Sequence, residues 1–459
     1  MITTSGIFLD PRIFLEEQSK DELIDEILRL RQEKGVLEKE LDELKKKLKP
    51  SFIKESGYKK KKRWKKLGRP VGHPGCTRPE PDHIDHVVEQ TLDCCPGCVH
   101  GGLVELPSEL ERHVQEDIIP AHVEVTEFIR HGYWCPSCKK KHRAPYAEGE
   151  IPAGYIGPNA WVQTVLLKYH RGLPFNKIAE LFGSLCGLEI TEGGLAQALQ
   201  RVSEWLKVET NVVLAAIRAS PLLHMDETGW KINGDRHWLW AAVNKELAYY
   251  RIARSRGAKI PKEILPAKYG GTLIVDFYSA YHRLKCRIQR CLVHLEREMR
   301  KCLLQDASRE YARYHKVLKR IIQDARDLKK MCGKFAPAVY IRKVSLIRKR
   351  LLRWACREHE NKHLKRLAQR IMKHATELLV FLEDPEVPAD NNLAERMIRP
   401  HVIIRNRSFQ NRSDRGAHVH ETLMSLLHTL QLQEKDPIVF FRKAVLHHAQ
   451  GNPAPVLAL

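Results

Sequence analysis

The chain has 459 residues, enough for two to four domains and at least one sizeable core, and carries a net charge of +22. An isoelectric point near 9.5 points to a polyanionic partner, a nucleic acid or an acidic membrane surface. No apolar run approaches the ~20 residues of a spanning helix and no secretory apolar region opens the chain, so a membrane role is not expected.

The first element is a heptad helix. Leu23, Ile27, Leu30, Lys34, Leu37, Leu41, Leu44 and Leu48 recur at alternating steps of four and three, the seam of a two-stranded coiled coil with Lys34 setting register. Residues 1–50 are therefore read as a leucine-zipper-like helix that pairs two copies of the chain through 23–48. An amphipathic helix folded onto its own chain is the alternative.

Lysine and arginine then crowd in, with Glu55 the only acid between Lys45 and Arg69. Residues 51–90 read as a basic DNA-binding linker. Lys60, Lys61, Lys62 and Arg63 flank Trp64, and Gly68-Arg69-Pro70 has the form of a minor-groove hook, in which an extended arginine enters A·T-rich DNA. General phosphate contact by displacement of counterions is the alternative.

The 12 cysteines include short pairs, which favours reduced thiols with metal at some of them over a disulfide scaffold. Cys95-Pro96-Gly97-Cys98 is answered by Cys135-Pro136-Ser137-Cys138 across a stretch rich in Val, Ile and Phe. Two such knuckles joined by strands describe a zinc ribbon over 91–145, with four thiolates closing a structural Zn²⁺ site. Cys94 is a surplus thiol that can stand in for Cys95, though the spacing favours Cys95.

Between 146 and 220 the pattern turns helical, with short glycine-containing turns. Thr191 and Glu192 open a helix that is either the reader of a helix-turn-helix or part of a bundle supporting the next domain. Two apolar runs then close on acids. Leu222-Leu223-His224-Met225 leads to Asp226, and Thr272-Leu273-Ile274-Val275 leads to Asp276, as strands do when they carry carboxylates to a sheet edge. His237 to Val243 and Ala248 to Ile252 alternate as two further strands. Arg254-Ser255-Arg256-Gly257 follows as a phosphate contact or a solvated turn.

The connection from Asp276 to a third acid, Glu395, is far too long for a loop. Its 296–382 segment, dense in Lys, Arg, Leu and Ala, reads as a helical insertion of two hairpin arms whose basic faces face DNA or solvent. Cys291 and His294 before it read as a buried thiol and a helix-start histidine. Asp390 or Asn391 caps the helix that carries Glu395. Three hard oxygen ligands suit one or two Mg²⁺ (or Mn²⁺) ions, as in two-metal phosphoryl transfer. Cap or turn roles for the aspartates, and an i, i+4 pairing of Glu395 with Arg399, are the alternatives. Beyond it, Arg396, Arg399, Arg405 and Arg407 recur without matching acids, as phosphate clamps or a rim of ion pairs. Residues 416–459 read as a small C-terminal helical closing element.

His224-Met225-Asp226-Glu227-Thr228, Val275-Asp276-Phe277-Tyr278-Ser279-Ala280-Tyr281, Cys291-Leu292-Val293-His294, Asp390 to Pro400, Arg405-Asn406-Arg407 and Asp414-Arg415-Gly416-Ala417 together resemble, in order, the corresponding blocks of bacterial insertion-sequence transposases of the family numbered sixty-six. The resemblance implies an α+β multidomain protein. Its catalytic core over 221–415 would be an RNase H-like mixed sheet with a large helical insertion, preceded by the coiled coil and the zinc ribbon. It also implies a DDE triad at Asp226, Asp276 and Glu395, the family pattern preferring Asp226 to its acidic neighbour Glu227. The implied activity is metal-dependent cleavage at transposon ends followed by strand transfer into target DNA. Proteins of the same element are implied as accessory partners, in the bacterial cytoplasm at the nucleoid. A nuclease of the same fold, or a DNA-binding regulator or inactive copy using only the zinc and basic regions, are the alternatives.

Overall fold

The computed structural model describes residues 122–458, apart from 153, 306, 307 and 409, together with isolated positions nearer the amino terminus. The chain divides into two units, Met1–Glu109 and Leu110–Leu459. In the first, Arg29, Leu30, Gln32, Glu33, Val36 and Glu40 are helical. The rest of the expected coiled-coil seam, the basic residues Lys60 to Trp64 and Arg69, and Cys95 and Cys98 lie outside the described residues.

The second unit opens with a hairpin, β1 (Gly132–Cys135) and β2 (Lys140–Arg143), paired antiparallel. Four helices follow: α1 (Pro158–Val165, running on into a π-turn at Leu166–His170), α2 (Phe175–Cys186), α3 (Glu192–Trp205) and α4 (Lys207–Ala219). Thr191 caps α3 by accepting from the Gly194 N–H at 3.1 Å, where the sequence sets the helix start. The inner face of α3, Ala198, Leu199 and Val202, is buried in the same core as the sheet, which is how a supporting bundle packs.

The sheet has five strands: β3 (Leu222–Ile232), β4 (Asp235–Val243), β5 (Ala248–Ala253), β6 (Thr272–Val275) and β7 (Arg287–Arg290). Their order is β5-β4-β3-β6-β7. The first three form an antiparallel meander, while β6 runs parallel to β3 and β7 parallel to β6. The architecture is a mixed sheet among many helices, an α+β arrangement. β3 differs from expectation in not ending at Asp226. It continues to Ile232 because Asn233 and Gly234, with φ of 48° and 86°, make the tight turn that prolongs the β3–β4 hairpin.

Helix α5 (Lys259–Ile264) precedes β6, and the long connection after β7 is mostly helical: α6 (Leu292–Gln305), α7 (Arg309–Lys330), α8 (Pro337–Ala355) and α9 (Lys362–Lys373). These helices close around a core of their own that includes Leu295, Met299, Tyr311, Leu318, Trp354 and Leu364. Alternation along β6 serves both cores, Ile274 facing the bundle while Leu273 and Val275 face the main core.

Helices α10 (Asn392–Ser408), α11 (Asp414–Leu432) and α12 (Pro437–Ala449) complete the unit. α11 is buried almost all round and lies along edge strand β5, so it belongs to the core and does not merely close it. Its Thr429, Ser425 and Glu421, one per turn, accept the outward N–H groups of Ala248 (3.1 Å), Tyr250 (3.0 Å) and Ile252 (2.5 Å). An exposed edge would template pairing with other chains, and these side chains satisfy it. Among the described residues no helix is long and apolar enough to cross a membrane.

Candidate active site

The parallel register sets Leu222 beside Thr272, Leu223 beside Leu273 and His224 beside Ile274. The pairing stops there, and Asp226 and Asp276 each follow two residues beyond its last pair. Asp226 thus marks where β3 parts from β6, although β3 itself goes on.

Glu395 comes from the first turn of α10. Asp390 Oδ1 caps that helix by accepting from the Asn392 N–H at 3.0 Å. The neighbouring Asn391 fixes the helix start to the sheet. Its buried Nδ2 donates to the Met225 carbonyl at 2.8 Å, and its Oδ1 lies 3.0 Å from His224 Nδ1. With the amide oriented by Met225, His224 must be the Nδ1–H tautomer and donate to Asn391. Burial holds His224 down to about 4, so the ring is neutral at ordinary pH. The Asn391 N–H donates to the buried Cys291 thiol at 3.2 Å, as the buried-thiol reading of Cys291 requires.

Burial pushes the Asp226 carboxyl well above its ordinary value, and the charges of Glu227, Asp276 and Glu395 push it further, against a hydrogen bond from the Glu227 N–H. The Asp226 carboxyl thus feels acids from β3, from the residue after β6 and from α10. Around Glu395, Arg297 Nη2 lies 3.4 Å from Oε2 and His294 Nε2 lies 3.6 Å from Oε1. Glu395 Oε1 is buried without a hydrogen-bond partner. Among the described residues no three His, Cys, Asp or Glu side chains are already drawn together as a metal cage.

Glu227 is used differently. Its buried carboxylate accepts from Arg256 Nε (3.1 Å) and Nη2 (2.8 Å) and from the Tyr281 hydroxyl (2.7 Å). Arg256 is stacked on Trp238 and Tyr278, 4.4 and 4.0 Å from the ring centres. Arg256, read from sequence as part of a phosphate contact or a solvated turn, is the ion-pair partner of Glu227. Arg290 is a second support that the sequence does not announce. Fully buried on β7, it donates from Nη1 to the Asp276 carbonyl at 2.7 Å and pairs through Nε with Glu377 at 2.6 Å.

The arginines of α10 divide. Arg396 and Arg399 are exposed. Arg407 is exposed and donates to the Arg171 carbonyl at 3.1 Å. Arg405 is half-buried and turned onto β3, donating to the Gly229 carbonyl and to Thr228 Oγ1, so it ties α10 to the sheet instead of standing free as a phosphate clamp. At the hairpin, Cys135 ends β1 and its Sγ accepts from the Cys138 N–H at 3.5 Å, a contact that holds the thiol below its usual range. Lys139, with φ of 52°, closes the turn, and His142 Nε2 stands 3.3 Å from Cys138 Sγ.

Two family models match the chain: "Transposase IS66 family" over residues 153–419 and "zinc-finger binding domain of transposase IS66" over residues 93–139. Three proteins of Sinorhizobium fredii are similar along most of their length. One, "Uncharacterized protein y4jD", is 26% identical over 404 residues, 82% of this chain and 78% of its own. Another, y4hP, is 23% identical over 402 residues, 78% of this chain and 72% of its own. The third, y4qI, is 24% identical over 416 residues, 81% of this chain and 74% of its own. The larger model covers more than half of the chain and spans the sheet, both aspartates and Glu395, and on that ground the chain belongs to the IS66 family of transposases.

Proposed function

We propose that the chain is a DDE transposase, a metal-dependent enzyme that cuts at the ends of an insertion sequence and joins the freed 3′-hydroxyl to target DNA. Asp226, Asp276 and Glu395 are its catalytic acids. The observation that carries this reading is that β3 and β6 run parallel in register up to two residues before Asp226 and Asp276, and that the charges of Asp276 and of helix-borne Glu395 both raise Asp226. The sheet order supports an RNase H-like core, with the first strand at the centre, the next two antiparallel outward from it, and the last two parallel on its other side.

Mutually repelling carboxylates, one with a buried oxygen that accepts no hydrogen bond, are a donor set suited to Mg²⁺ or Mn²⁺. Bound there, such ions would activate the attacking water or hydroxyl and offset charge at the leaving oxygen. The chain's own part is positioning and charge. Strand register sets the spacing of Asp226 and Asp276, Asn391 anchors α10 so that Glu395 reaches them, and Arg396 and Arg399 face the DNA backbone. Arg407 lies further along the same helix. No covalent protein intermediate is needed.

The remaining modules follow the same reading. Cys95, Cys98, Cys135 and Cys138 hold a structural Zn²⁺, supported by the matched zinc-finger model and the Cys135–Cys138 knuckle. Lys60, Lys61, Lys62, Arg63, Trp64 and Arg69 bind DNA, and residues 23–48 pair two copies.

Replacing Mg²⁺ by Fe²⁺ in the presence of peroxide cuts a polypeptide beside the bound ion. The expected fragments end near 226, 276 and 395 and disappear in Asp226→Asn. Cuts elsewhere, or cuts that survive this substitution, would remove the site from this place.

A further inference from the structure

Beside Asp276 a cleft of about 450 Å³ opens between the sheet and the helical bundle. Arg297 and Lys301 line it from α6, Arg366 and Arg370 from α9, and Phe277 lies next to the catalytic aspartate. Each pair is four residues apart, so each wall presents cations one helical step, about 6 Å, from one another. Glu298, which also lines the cleft, holds Arg366 Nε at 3.3 Å and is paired with Arg370 Nη1, so the two guanidinium groups of α9 are fixed against α6. Arg370 lies 5.1 Å from the centre of the Phe277 ring.

Cations on two neighbouring helices beside an aromatic ring are the parts of a single-strand groove, where the cations track phosphates and a base stacks on the ring. At about 450 Å³ the cleft is the size of a small-ligand pocket, which takes a short strand segment and not a duplex. We propose that this cleft receives one unpaired DNA strand adjoining the point of cleavage. Phosphates lie along Arg297/Lys301 and Arg366/Arg370, and one base lies on Phe277. The helical bundle thereby holds the strand end that the acids act upon. This deepens the transposase reading and rests on it.

The test is a binding measurement in Ca²⁺, which separates it from chemistry. The full chain is titrated with end DNA carrying 2-aminopurine in the strand next to the cleavage point, either frayed there or fully paired. Lys301→Ala and Arg366→Ala, at exposed side chains, leave the fold intact, and Phe277→Leu retains an apolar side chain. On frayed DNA the charge variants are expected to bind about tenfold more weakly and Phe277→Leu to lose the fluorescence change, with duplex affinity altered less than about twofold. Equal losses on both DNAs, or no loss on either, would overturn the proposal. If instead the parent prefers frayed DNA through these residues but never cuts in Mg²⁺, the transposase reading fails and the groove stands.

Discussion

Replacing Asn391 by Ala removes the clamp between the two parts of the site. The side chain is fully buried and makes two hydrogen bonds across 166 and 167 positions of sequence, to the Met225 carbonyl and His224 Nδ1. Alanine would leave that carbonyl and that N–H buried and unpaired, at about 1–3 kcal/mol each, so a loss of roughly 2–6 kcal/mol of stability is expected. Both groups adjoin Asp226, and the clamp starts the helix bearing Glu395. End cleavage by the protein that remains folded should therefore fall about 10–100-fold, the range for groups that orient metal ligands. Asn391→Asp would set an acceptor against the Met225 carbonyl and should be no milder. Urea unfolding followed by helical circular dichroism gives the first quantity, and single-turnover cleavage under native conditions gives the second. A variant within about 0.5 kcal/mol of the parent, cutting at the parental rate, would refute the reasoning.

Three other outcomes follow from the same geometry. Asp226 has a raised folded-state value, so its ionisation costs stability. That cost is absent below its ordinary value, grows as pH rises through the window up to the raised value, and is fully present above it. Without metal, Asp226→Asn should consequently be more stable than the parent at neutral pH and equal to it in acid, and it should lose the stabilisation that added Mn²⁺ gives the parent; thermal melts across pH read both. Glu227→Gln should cost about 1–3 kcal/mol by weakening the hydrogen bonds to Arg256 and Tyr281, yet keep Mn²⁺ binding, which calorimetry would separate from the Asp226 variant. Cys138→Ser should lower bound zinc from about one equivalent per chain toward zero by elemental analysis while Mg²⁺-dependent chemistry on pre-bound DNA persists.

Legibility from sequence varied with the range of the interaction. The apolar runs ending at Asp226 and Asp276 were plain because strand burial leaves a local pattern, and the parallel register then pairs them. The choice between Asp226 and Glu227 was not local. Successive residues on a strand face opposite ways, and only the positions of Arg256 and Tyr281 show which carboxylate is consumed internally. The extent of β3 could have been read from Asn233-Gly234, the strongest short hairpin signal in the chain. Arg405 looked like its neighbours because nothing in one sequence tells which face of α10 meets Gly229. α11 read as part of a small closing element, and the task of its Thr429, Ser425 and Glu421, capping the edge of β5, exists only once the sheet is built. Asn391 and Arg290 carry no signature either, each being defined by partners far along the chain.

The central claim is tested most directly by joining. Purified chain is incubated in Mg²⁺ with labelled DNA carrying the element's ends and a supercoiled target plasmid, beside Asp276→Ala. Labelled ends covalently joined to plasmid by the parent, and absent with the variant or with EDTA, are the predicted result. Ends that are cut but never joined, or joined equally well by Asp276→Ala, would contradict it.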